Sequence, residues 1–286
     1  MKFIIFILFA LTAVSCASEQ TISGCLPSYK NLDLKKLTYL DCLIFFSGEP
    51  NEDGSIKLPK KLLEQMSVKT KGIERFLCIG GWGKSKYFPA VSGDKVKRKK
   101  FINELKSLVE KYSLDGIDFD WEHPKNKKEE EAYEKLIHES SLNFKVSVAA
   151  AGWQKFTKGI FKSIYRINLM SYDHGGEHAT FEKSVQDVDN FIKMGCPAKK
   201  ISLGVPFYGR HVKSRQAKTY AQLKAKIKGN EDLVDGYYFN NVATLKKKAA
   251  YAKEKGLAGI MIWEIEQDCP DYTLLKTLRK ALPNSK

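Results

Sequence analysis

With 286 residues, 43% of them hydrophobic and 12% aromatic, the chain can bury one large core and is too apolar for a disordered protein. Its formal net charge is +15, from 48 Lys and Arg against 33 Asp and Glu. No helix-turn-helix, finger or aromatic-rich RNA motif accompanies that charge, so nucleic acid is excluded as the expected partner; stretches such as 95–100 and 246–248 read as solvated helix faces, and the remaining excess favours adsorption to anionic surfaces.

In chain order, the first element is a targeting segment. Lys2 supplies charge, Phe3 to Val14 form an almost unbroken apolar run, and Ser15-Cys16-Ala17 offer small residues for cleavage. The run is too short to span a bilayer, so residues 1–17 are expected to be a signal and 18–286 an exported, monomeric body. A lipoprotein signal is the rival reading. It would make Cys16 the lipidated first residue and the only link to a membrane, although Ala13 stands where such signals usually carry Leu, Val or Ile.

Short apolar runs then alternate with amphipathic stretches, the pattern of a parallel sheet with helical crossovers. Strands are predicted at 21–26, 40–46, 74–80, 114–120, 144–150, 165–171, 199–205 and 257–263. Helices are predicted at 93–112, 127–140, 180–194, 242–255 and 271–281, with Gly256 stopping the fourth. Eight such repeats in one unit of this length make an α/β fold, a single-domain (β/α)8 TIM barrel. About 50 residues separate the last two strands, much of that stretch expected to serve the connecting helix. Cys25, Cys42, Cys78, Cys196 and Cys269 remain beyond the signal, an odd number without the paired spacing of a zinc site, and Cys25, Cys42 and Cys78, in predicted strands, read as small buried hydrophobes rather than a bridge.

The most informative stretch runs from Leu114 to Glu122, Leu-Asp-Gly-Ile-Asp-Phe-Asp-Trp-Glu. A strand sends alternate side chains to one face, so Asp118, Asp120 and Glu122 align opposite apolar Ile117, Phe119 and Trp121. Crowded carboxylates raise at least one pKa, which keeps a Glu protonated for general acid work. Two other readings stand beside catalysis. The same acids suit a hard cation, although no ligand loop surrounds them, or they lie on an exposed edge strand, which the apolar opposite face disfavours.

Asp115-Gly-Ile-Asp-Phe-Asp-Trp-Glu122 resembles the Asp-Gly-x-Asp-x-Asp-x-Glu signature of glycoside hydrolase family 18, the chitinases and their relatives. Other segments follow that family's order. Phe76 to Gly83 resembles its third strand and glycine loop, with Cys78 where Ser is usual. Asn168 to Asp173 resembles its Met-x-Tyr-Asp strand, and the segments 204–210 and 259–264 resemble its seventh and eighth strand ends. The resemblance runs from about residue 20 to the C-terminus. It implies that the chain lacks the complete insertion domain of larger members, and so has a shallow, open groove.

The resemblance also implies roles. Glu122 is the expected acid and base of a retaining, substrate-assisted reaction without a second carboxylate nucleophile. Asp120 is expected to hold the substrate's acetamido N–H, Asp118 to share a proton or hydrogen bond with Asp120, and Tyr172 to aim the acetamido carbonyl. Asp115, off the inward parity, is expected to tie the strand entry. Trp263 is the expected aromatic floor; Asp173 and Met170 contact the same sugar, and Tyr208, Arg210, Trp82, Tyr29 and Trp153 are candidates to line the groove. Where relatives carry Gly-Tyr near the first strand, Gly24-Cys25 removes one aromatic wall. No cofactor or metal is called for. The expected substrate is chitin or another N-acetylglucosamine oligosaccharide, cut at β-1,4 bonds. Alternatives are an endo-N-acetylglucosaminidase acting on N-glycans or peptidoglycan, a non-hydrolytic lectin on the same fold, and a metal-dependent sugar deacetylase.

Overall fold

The computed structural model describes residues 20–283, so the expected signal and Cys16 lie outside the described residues. Eight parallel strands form the barrel: β1 (Thr21–Pro27), β2 (Cys42–Pro50), β3 (Glu74–Gly80), β4 (Gly116–Asp120), β5 (Lys145–Ala151), β6 (Arg166–Met170), β7 (Ile201–Pro206) and β8 (Gly259–Trp263). Each pairs with its sequence neighbours, and β1 pairs with both β2 and β8, which closes the ring. All eight positions agree with the sequence pattern to within two residues at the start.

Alternation along these strands separates two cores. Outward residues such as Ile117, Phe119, Leu169, Leu203 and Ile262 pack under the helices. The barrel interior is a smaller cluster of Cys25, Cys42, Ile44, Phe76, Cys78 and Met261, roofed by Phe46, Met170, Tyr172 and Trp263. Among the described residues the five cysteines are buried and unbridged, and three of them fill the barrel as compact apolar groups.

The helices are α1 (Lys60–Ser67), α2 (Phe88–Gly93), α3 (Lys95–Tyr112), α4 (Lys127–Ser141), α5 (Ile160–Ser163), α6 (Phe181–Lys193), α7 (Tyr220–Lys224), α8 (Val242–Glu254) and α9 (Thr273–Ala281). Their starts are chemically marked. Asp94 accepts from the N–H groups of Val96 and Lys97 at 2.8 and 2.9 Å, and Asn126 accepts from Glu129 N–H at 3.1 Å, each satisfying an otherwise orphaned donor. After α8 the chain reverses at Gly256, φ +63, as its sequence position suggested. The segment between β7 and β8 differs from expectation. It is not mostly helix, because residues 217–219, 208–211, 237–238 and 233–234 form, in that order, a four-stranded antiparallel sheet with α7 beside it. The sheet continues directly from the end of β7, so it stands at the barrel mouth.

The helix side fixes the strand that carries the acids. Trp121 is 2% exposed and stacks on Phe88 of α2, centroids 5.3 Å apart and planes 8° apart, with Tyr133 of α4 edge-on at 5.1 Å. Truncating a buried aromatic of this kind costs roughly 3–5 kcal/mol. That packing sets the parity of β4 and so turns the alternate acidic residues inward.

Candidate active site

Asp118, Asp120 and Glu122 rise in a column from the middle of β4 to the barrel mouth. Asp118 Oδ1 accepts from Ser147 Oγ at 2.6 Å and Asn168 Nδ2 at 2.9 Å, and the Cys78 thiol also donates to this carboxyl. Cys78 therefore does, more weakly, what a hydroxyl would do at its position. Burial still wins, pushing Asp118 up to about 6 against the pull of Ser147, Asn168, Cys78 and Arg166. The expected link between Asp118 and Asp120 is not made here: Asp118 is engaged by Ser147 and Asn168, and Asp120 Oδ1 is buried with no partner. Burial, then the charges of Glu122 and Asp118, raise Asp120 well above the carboxylate range.

Glu122 sits at the top, held by the loop after β3. Its N–H donates to Ser85 Oγ at 2.9 Å, and Gly81 N–H donates to Asp120 O at 2.7 Å. This close approach explains the glycine pair: Gly80 and Gly81 adopt φ +106 and +97, and a Cβ on Gly80 would lie 2.2 Å from Asp120 O. Burial first, and the Asp173 charge second, push Glu122 up to about 7, against a backbone N–H from Trp82. Glu122 therefore exchanges between its acid and carboxylate forms near neutral pH, at a mouth open to solvent.

The other expected residues divide into a floor, a clamp and a rim. Trp263, half-buried, meets Phe46 edge-on with centroids 4.6 Å apart. Tyr172 lies beside Met170 in the same cluster, with its hydroxyl 4.0 Å from Met261 Sδ. Burial holds that hydroxyl well above its usual pKa, so it remains a donor. Asp173, at φ +62, accepts from Tyr208 Oη at 2.8 Å and from Arg210 through Nε and, at 2.7 Å, Nη2. Burial opposes ionisation of Asp173, but hydrogen bonds from Arg210, His178 and Tyr208 outweigh it and keep the carboxyl well below its usual range. Tyr208 is 4% exposed, so in this structure it braces Asp173 from behind. Tyr29, Trp82 and Trp153 stand open at 65, 82 and 64% exposure around the mouth. Asp115 Oδ2 accepts from Arg75 N–H at 2.8 Å, tying the start of β4 to β3 as its parity suggested.

Several supporting residues escaped the sequence reading. Ser147, Asn168 and Phe46 lie on inward positions of β5, β6 and β2, where strand parity would have marked them once the register was known. His178, fully buried, has Nδ1 3.5 Å from Asp173 Oδ1. Its neighbour Ala179 is fixed by the buried Lys248 Nζ, which donates to Ala179 O at 2.9 Å and Asn240 Oδ1 at 2.8 Å. Arg215 Nη2 donates to Asp173 O at 3.1 Å. His123 follows the acid directly, off the inward parity of Asp118, Asp120 and Glu122. Among the described residues no group of three or more His, Cys, Asp or Glu is arranged to hold a metal ion.

The glycosyl hydrolases family 18 model matches residues 16–268, which include every element of this site. The chain belongs to glycosyl hydrolases family 18. Its curated relatives include endochitinase 1 of Metarhizium robertsii, 26% identical over 275 residues, covering 73% of this chain and 65% of that protein. The chain thus spans a little under two thirds of the length of the first such relatives it matches. Among solved structures, a chitinase from Bacteroides thetaiotaomicron superposes with TM-score 0.84 at 20% identity, over 94% of this chain and 98% of that one. A chitinase-like agglutinin from Robinia pseudoacacia superposes with TM-score 0.81 at 19% identity, over 91% of this chain and 99% of that one. At such identities the superpositions speak for the family 18 barrel itself, and the chemistry must be argued from the site.

Proposed function

We propose that this family 18 member is an exported chitinase-type glycosidase that cleaves β-1,4 N-acetylglucosaminide bonds with retention, using the substrate's acetamido group as nucleophile. The observation that carries the reading is the placement of Glu122 at the barrel mouth above two buried carboxyls, Asp118 and Asp120, where burial and the Asp173 charge raise it to about 7. A neutral acid at the mouth of a barrel can donate to the glycosidic oxygen, and the same group as carboxylate can later take a proton from water. Asp120 Oδ1 is a buried acceptor awaiting a donor, and the acetamido N–H supplies one. As the acetamido oxygen closes on the anomeric carbon and the ring becomes an oxazolinium, positive charge grows beside Asp120 and favours its ionised form. Tyr172 donates to the acetamido carbonyl and orients it. Trp263 offers an apolar face to the same sugar. The likeness to an agglutinin favours a second, binding-only reading, against which stands the complete set Glu122, Asp120, Asp118 and Tyr172.

Product analysis of the purified protein with N-acetylglucosamine oligomers, beside Glu122→Gln and with EDTA, tests the proposal. Shorter oligomers from wild type alone, with or without chelator, are expected. Acetate release without new reducing ends would instead identify a deacetylase, and binding without cleavage would favour the lectin reading. Efficient cleavage of glucose oligomers, which lack the acetamido group, would refute substrate assistance.

A further inference from the structure

Ser171 and His174 flank the pair Tyr172-Asp173 in the chain, and both reach one atom of α6. Ser171 Oγ lies 2.7 Å from Asp187 Oδ2, and His174 Nε2 lies 3.0 Å from the same oxygen. Asp187 is 5% exposed, on the helix side of the barrel wall, and Ser171 is fully buried. A carboxylate oxygen only accepts, and its lone pairs have room for both donors. The Ser171 hydroxyl has a second neighbour, Ser184 Oγ at 3.1 Å, but the shorter, charge-assisted contact takes its one hydrogen. The carboxyl is seated closely as well, since a Cβ on Gly152 would lie 1.9 Å from Asp187 Oδ1. Between the two anchors the backbone turns sharply. Asp173 adopts φ +62, a left-handed conformation that a residue other than glycine keeps only where its surroundings over-determine it. Beyond it the loop closes on itself, with His174 N–H donating to His178 O at 3.1 Å and Lys183 Nζ to Gly175 O and Glu177 O at 2.8 and 2.7 Å. Asp187 joins that loop to the end of β6.

We propose that Asp187 is a positioning residue for the reaction: by gripping Ser171 and His174 through one oxygen, it fixes the turn that aims Tyr172 at the acetamido carbonyl. The inference rests on the glycosidase reading, which gives Tyr172 a direction to keep. Inside the barrel the Tyr172 hydroxyl meets Met261 Sδ only loosely, at 4.0 Å, so the aim of the ring is set from its backbone. Ser171 holds that backbone before the ring and His174 holds it after Asp173. Freed from Asp187, the turn can relax away from the left-handed conformation, and the hydroxyl moves with it. An error of about 1 Å in such a group costs up to about 100-fold in rate without a matching loss of substrate binding. The sugar platform Trp263 and the acid Glu122 stand on other strands and keep their places.

The test is kcat and KM of the full chain on N-acetylglucosamine oligomers, with inhibition by an oxazoline-mimicking thiazoline, for Asp187→Leu, Asp187→Asn, Ser171→Ala and His174→Phe. All are measured at a temperature where each variant is folded by circular dichroism. For Asp187→Leu, kcat should fall roughly 10- to 100-fold with KM within about twofold, the pattern of an interaction used in the transition state. Thiazoline affinity should fall in step with kcat, because that inhibitor needs the aimed hydroxyl. Asp187→Asn, whose amide oxygen can still accept both donors, should recover most of the loss. Ser171→Ala and His174→Phe, each removing one arm, should each lower kcat part of the way, and they carry the test if Asp187→Leu does not fold. Adding His174→Phe to a folded Asp187→Leu should change little, since the two share one contact. Folded arm variants with wild-type kcat, or losses in which KM and thiazoline affinity change while kcat does not, would reduce Asp187 to packing and overturn the proposal. A wild type that cuts no glycan would overturn the glycosidase reading first, and this inference with it.

Discussion

Replacing Glu122 by Gln should stop cleavage and, above neutral pH, make the protein more stable than wild type. The fold holds this carboxyl at about 7 against 4.5 in an unfolded chain, so the folded state binds a proton more tightly. Below pH 4.5 both states carry the proton and the group contributes nothing to any pH dependence. Between 4.5 and 7 the unfolded chain releases it first, and stability is lost progressively; above 7 the loss is complete and constant. At 1.36 kcal/mol per pKa unit that loss is about 3 kcal/mol. Gln keeps the shape and carries no charge, so the variant escapes the loss and also relieves the Glu122 charge that Asp120 feels. Denaturant unfolding should give equal stabilities at pH 4 and a gap opening to about 3 kcal/mol at pH 8 in favour of Glu122→Gln. A gap that is the same at both pH values, or of the opposite sign, would refute the argument that burial and like charge set the acid.

The neighbouring charges and the open aromatics give further tests. Asp173→Asn removes the negative charge that helps keep Glu122 protonated, so the alkaline limb of the pH–rate profile should move to lower pH, and an upward or absent shift would remove Asp173 from the electrostatics of the acid. Trp82→Ala at 82% exposure should change folding stability by less than about 0.5 kcal/mol while weakening oligosaccharide binding by roughly 1–3 kcal/mol; calorimetry showing unchanged affinity would leave the ring without a sugar to stack on.

The parts of the molecule legible in the sequence are those whose cause is local. Strand parity alone aligned Asp118, Asp120 and Glu122, and the eight barrel strands announced themselves as buried apolar runs between polar helices. Helices α3 and α4 lie within two residues of the predicted 93–112 and 127–140. Illegible features depend on register or on partners far along the chain. Ser147 and Asn168 reach Asp118 from 29 and 50 residues away. Tyr208 and Arg210 clamp Asp173 from a strand that follows the bend after β7. The antiparallel sheet at the mouth is built of strands two to four residues long, shorter than the alternation needed to see them, and α5 and α7 span barely one turn.

The buried column also explains how three acids can share one strand without unfolding it. Arg166 lies 4% exposed at the first position of β6, bonded to Ser23 Oγ and facing Glu74, and it pulls Asp118 towards ionisation. The Asp118 carboxyl also has Ser147, Asn168 and Cys78 as donors, so negative charge is cheapest at the lower level of the column. Asp120 has neither cation nor donor and faces a carboxyl on each side, so it resists ionisation until a substrate N–H arrives. Glu122, its side chain still 15% exposed, can exchange its proton with water, yet burial and the Asp173 charge keep that proton on it to about 7. A positive floor and an unsatisfied middle thus sort charge downwards and protons upwards. The top of the strand is where a glycosidic oxygen needs an acid, and that placement costs the fold the stability which Glu122→Gln should restore.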